Sequence, residues 1–122
     1  MKIKANELRI GNWYKGVSRD IFLKADGRMI AQLQEGILVA QAIPLTEEIL
    51  LKCGFENSNR DFFEKRAMQR GKINISFNKG VMEFLELGTS NHYIFGSVKH
   101  THLHQLQNLY FSLTGEELEI KL

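Results

Sequence analysis

Cysteine and proline each occur once in the 122 residues, as Cys53 and Pro44. A single thiol excludes an internal disulfide and fits a reducing cytoplasm. No apolar run approaches the ~20 residues that span a bilayer. The N-terminus, "MKIKANELRI", lacks the apolar core of a signal segment. Both features predict a protein that stays where it is made, without a membrane partner. Catalytic signatures are missing too. Ser76, Ser97 and Ser112 lie in no Gly-x-Ser-x-Gly elbow, and the glycines punctuate hairpins and helix ends rather than form a phosphate loop. Glu83 and Glu86 would point to opposite faces of a strand, a poor acid/base pair. The sequence therefore predicts no enzyme and implies no cofactor.

What is present is ordinary for a globular domain: 43% hydrophobic and 25% charged residues. One domain over residues 1–122 is expected, with a β lobe at 1–43 and a second part at 44–122 holding a helix, a β-meander and a C-terminal helix. The net charge is only +2, but it is unevenly placed. Residues 1–28 carry seven basic and three acidic side chains, and residues 60–79 carry six and two. Separated charge of this kind suits a polyanion, although a solvated surface produces the same pattern.

The N-terminal lobe reads as four short strands. "LRIGNWY" alternates apolar and polar residues, "IFLK" follows, "ADGR" supplies an Asp-Gly hairpin turn, and "MIAQL" and "ILVAQAI" complete a small curled sheet. After Pro44, "LTEEILLKCGF" predicts a helix over about 45–53, with Thr46 as N-cap, Glu47 and Glu48 at its positive end, and Gly54 as its stop. Cys53 falls on its apolar spacing as a packing residue. "DFFEKR", "GKINISFN", "VMEFLEL" and "HYIFGSV" predict an antiparallel meander, with "KRAMQRGK" as its loop-like, most basic segment. Leu103, Leu106, Tyr110 and Leu113 mark a second helix over about 102–114, ending at Gly115, and "EELEIKL" reads as a short final strand. The fold class is α+β, mainly antiparallel β, with two helices.

Three groups of residues are candidates for function. His100, His102 and His104 form an H-x-H-x-H run. A strand would place all three on one side, as a transition-metal or acid/base site requires. With Thr101 as a cap and the apolar stripe starting at Leu103, a helical start divides them instead, and that reading is favoured. The second group is Arg60, Lys65, Arg66, Arg70 and Lys72, which interleave with Phe62 and Phe63 as in surfaces that bind single-stranded nucleic acid. The third is Trp13 and Tyr14, which either lid the core or offer a recognition surface. A small anionic ligand held by the 65–72 basic side chains, at a pocket between copies of the chain, is an equally open use.

"ELRIGNWY", "IPLTEEILLKCGF" and "HQLQNLYFSLTGEELEI" together resemble an uncharacterised family of small proteins widespread in the phages, prophages and mobile elements of gut anaerobes. The likeness covers about 40 positions at both ends and the middle. His104 lies within the family wording, whereas His100 and His102 stand where other residues are expected. The resemblance implies a phage-encoded accessory protein in the cytoplasm of a bacterial host, and no catalytic motif comes with it. The function expected is non-catalytic: binding a host or phage macromolecule, or sequestering a small anionic ligand such as a nucleotide signal, as inhibitors of host defence do. Nucleic-acid binding through residues 60–79 is the alternative, and a metal-dependent enzyme the third.

Overall fold

The computed structural model describes residues 2–17, 21–57, 66–70, 73–78, 81–87, 93–94 and 102–121, with backbone only at Leu113 and from residue 57 to residue 94. The chain divides into two compact units, Met1–Pro44 with His102–Leu118, and Leu45–Thr101 with Glu119–Leu122.

The first unit is built on a three-stranded antiparallel sheet. Strands β1 (Trp13–Gly16), β2 (Phe22–Lys24) and β3 (Ala40–Gln41) lie in the order β2-β1-β3. A single 3-10 turn, Ala5–Glu7, precedes them. The expected strand "LRIGNWY" starts later, because Arg9–Asn12 is a turn. The Asn12 side-chain oxygen accepts from the Arg9 N–H at 2.7 Å, and the Asn12 N–H donates to the Arg9 carbonyl at 3.1 Å. Gly11 takes φ +96°, a conformation that a side chain would strain. Leu8 is consequently buried while Ile10 is 69% exposed, the reverse of a shared strand face.

The expected hairpin at Asp26–Gly27 is a helix start. The Asp26 carboxylate accepts from the Met29 N–H at 2.7 Å and caps α1 (Gly27–Gln34). "MIAQL" is thus helical, not a strand. Met29 and Leu33 stand four apart and Ile30 and Leu33 three apart, so one side of α1 meets the core. Met29 is buried there with Ile3, Leu8, Tyr14, Ala25, Ala40 and Ala42, and Ile30, Leu33 and Leu38 pack against this cluster. Of "ILVAQAI", only Ala40–Gln41 forms a strand.

The C-terminal helix, counted α3 in chain order, spans Leu103–Thr114 and belongs to this first unit rather than to the meander. His102 holds the N-cap position expected of Thr101, and its N–H donates to Gln105 Oε1 at 3.1 Å. Gly115 closes it at φ +74°, its N–H donating to Phe111 O at 2.8 Å. Leu103 and Leu106 are buried.

In the second unit, α2 (Glu47–Lys52) forms as its caps dictate. The Thr46 hydroxyl accepts from the Ile49 N–H at 3.1 Å, and Cys53 is the fully buried C-cap. Five strands follow, β4 (Glu56–Asn57), β5 (Arg66–Arg70), β6 (Ile73–Asn78), β7 (Val81–Leu87) and β8 (Tyr93–Ile94), as an antiparallel meander in chain order. "RAMQR" is therefore a strand, paired along its whole length with β6, where a loop was expected. Most of "DFFEKR" lies outside the described residues. "EELEIKL" forms no strand among the described residues; Lys121 N–H donates to the Lys52 carbonyl at 3.0 Å. Among the described residues, two antiparallel sheets and three α-helices make this an α+β fold.

Candidate functional site

Strand register sorts the N-terminal sheet into two chemically different faces. Tyr14 pairs with Leu23, and Gly16 with Ala40. This face carries the core, and Tyr14 and Ala40 are buried. Burial, helped by the Asp26 carboxylate, pushes the Tyr14 phenol above its ordinary pKa, which keeps it neutral. Of the two roles open to Tyr14, the core is where it stands.

The other face is basic and aromatic. Trp13 pairs with Lys24 and Lys15 with Phe22, so the two strands make a checkerboard of aromatic and lysine. Lys15 also pairs with Gln41, and Gln41 bridges to Lys2, which extends one row across the sheet as Phe22, Lys15, Gln41, Lys2. Trp13 and Phe22 are half-buried, and Lys2 and Lys24 are exposed. Lys24 Nζ stands 5.3 Å from the Trp13 ring centroid, within cation–π range. Among the described residues, no carboxylate holds a register position on this face.

A polar seam positions Trp13. Gln107, from α3, accepts the Trp13 N–H on Oε1 at 2.8 Å and donates from Nε2 to the Gly11 carbonyl at 3.3 Å. Its neighbour Asn108 accepts from Arg9 Nε at 2.9 Å and from Asn12 Nδ2 at 3.0 Å, and donates to the Glu7 carbonyl at 3.0 Å. The Arg9 guanidinium forks onto Glu117 at 2.6 and 3.3 Å and lies 4.3 Å over the Phe111 ring. Asn12 and Gln107 are almost completely buried, so the seam satisfies groups that water does not reach. "RIGNW" and "QLQNLYF" are thus two halves of one joint.

Two of the three histidines are among the described residues. His102 lies outside α3 and His104 within its first turn, their ring centroids 6.2 Å apart. His104 is buried, with Nε2 3.8 Å from Glu7 Oε2. Burial pushes the His102 pKa below its ordinary value, against the opposing effect of a side-chain hydrogen bond with Gln105. His100 lies outside the described residues, among which no group of three His, Cys, Asp or Glu side chains could hold a metal ion.

Of the basic group, Arg66 and Arg70 stand at the two ends of β5, opposite Phe77 and Ile73. Arg60, Lys65 and Lys72 lie outside the described residues. Sequence reasoning named Trp13 but missed Lys2, Lys15, Phe22 and Lys24. The signal was legible as two aromatic-x-Lys strings, "WYK" and "FLK", whose antiparallel pairing sets each ring against a lysine.

No helix among the described residues is long and apolar enough to cross a membrane. The fold and its faces define a small α+β protein with two antiparallel sheets. No family model, curated protein or solved structure matches the chain.

Proposed function

We propose that this chain is a non-catalytic binding protein for an anionic partner, either a host or phage macromolecule or a small ligand such as a nucleotide signal. The observation that carries this reading is the checkerboard face, where Trp13 and Phe22 alternate with Lys15 and Lys24 and Lys2 extends the row. Rings supply flat apolar area and lysines supply charge, the pair of contacts an anionic ring-bearing ligand needs. The family resemblance adds the setting: an accessory protein of a phage or mobile element, at work in the cytoplasm of its bacterial host and directed against host defence. Self-association is compatible with it.

A second reading places nucleic acid on the basic 60–79 region. Its support is the backbone register of β5, in which alternation sets Arg66 and Arg70 on one face of the five-stranded sheet. A thermal-shift panel of nucleotides, oligonucleotides and sulfated polyanions separates the two. The first reading expects a stabilising ligand whose effect is lost in Lys2→Glu/Lys24→Glu and kept in Arg66→Glu/Arg70→Glu. The second expects the converse, and a flat panel sinks both.

A further inference from the structure

We infer that the outer face of the β2-β1-β3 sheet is a stacking platform for a single strand of nucleic acid, with a base on Trp13 and phosphates along Lys24, Lys15 and Lys2. This rests on the anionic-partner reading and names its ligand class.

Three observations on the face select a single strand. The first is aromatic area beside charge. Trp13 and Phe22 are half-exposed, each in register with a lysine, and a ring is of use to a nucleic acid only where bases are free to leave their own stack. A duplex would meet the lysines but not the rings. The second is the length of the charged row. In the row Phe22, Lys15, Gln41 and Lys2, the two lysines stand two inter-strand spacings apart, about 10 Å. Phosphates recur about every 3.4 Å of rise along one strand of a duplex and farther apart in an extended single strand, so two lysines at this spacing meet separate phosphates, more than a nucleoside monophosphate carries. The third is the face's chemistry: lysines, rings and Gln41 hold its register positions. Side-chain readout of base edges favours Asn, Gln and Arg; Gln107 and Asn108 are spent in the seam on Gly11, Trp13, Asn12 and Glu7, and Gln41 alone of these types holds a register position on the face among the described residues. The platform should therefore tolerate sequence and discriminate strandedness.

Trp13 is the only tryptophan in the chain, so its fluorescence reports this face and no other. The test titrates the full chain with short oligothymidylate, the matching duplex, a mononucleotide and heparin. It follows tryptophan emission, with the anisotropy of a labelled oligonucleotide alongside. The expected result is saturable quenching by the single strand, with a log–log salt slope near −2 for about three phosphates at roughly −0.7 each. Lys2→Glu/Lys24→Glu should weaken binding by about tenfold or more, Trp13→Ala by a similar factor in anisotropy, and Trp13→Phe should retain most of it, which also guards against a folding defect. Equal quenching by the mononucleotide overturns the strand assignment. Binding of heparin and oligonucleotide alike, with unchanged tryptophan emission, overturns stacking while leaving the anionic-partner reading standing. Absence of binding to every anion overturns both.

Discussion

The seam and the outer face lie on the same small sheet and spend polar residues in opposite ways. In the seam, Arg9, Asn12, Gln107 and Asn108 turn their hydrogen-bonding groups toward one another and toward buried backbone. On the face, Lys2 and Lys24 are exposed and their charge meets solvent. The difference is one of solvation. Amide groups exchange water for protein partners at little net cost when every partner is supplied, whereas a buried ammonium without a counter-charge is expensive. Residues that resemble a binding motif in the sequence, such as "RIGNW", can therefore be joinery, and lysines without any motif can form the exposed surface.

The largest effect should come from breaking the seam. Asn108→Ala removes three hydrogen bonds and leaves the buried Asn12 amide without that acceptor, so a loss of about 3 kcal/mol is expected in chemical denaturation. Asn108→Asp keeps both accepted bonds and should cost less. A milder loss, about 1 kcal/mol, is expected for Asp26→Ala, which uncaps α1 where it supports the core face of the sheet. A cost near zero there would mean that α1 is held by packing alone. The smallest effect is one of pH. Burial lowers the folded-state pKa of His102, so the unfolded chain takes up the proton first as pH falls through about 6.5. Its contribution is complete above the unfolded pKa and is lost as pH falls through the folded one. The melting temperature should drop across that window, and His102→Gln should abolish part of the drop.

Particular residues show how far the sequence reaches. Thr46, Glu47, Glu48 and Gly54 bracket a helix with local chemistry, and α2 forms between them. Ile73, Ile75 and Phe77 alternate with Asn74, Ser76 and Asn78 strongly enough to make a strand in any sheet, and Ile73–Asn78 is one. Asp26–Gly27 reads as a hairpin turn and "MIAQL" as a strand, wrongly, because Asp serves equally in a turn and as an N-cap and five residues are too few for period to decide. The Met29 N–H reaching back to the Asp26 carboxylate decides it. In "RAMQR", charge suggested a loop, but β6 supplied a full strand partner, and pairing outweighed composition.

The sequence by itself determined the fold class, the capped helix α2 and the extent of the C-terminal helix. Each of these follows from contacts within a few residues, where periodicity and caps act. Only the tertiary structure decided that α3 joins the N-terminal unit, that "RIGN" is a turn clasped by Gln107 and Asn108, and that Lys24 stands beside Trp13. Those depend on pairings between residues from eleven to nearly a hundred positions apart. Register and long-range hydrogen bonds choose such partners, and local propensity carries no record of them.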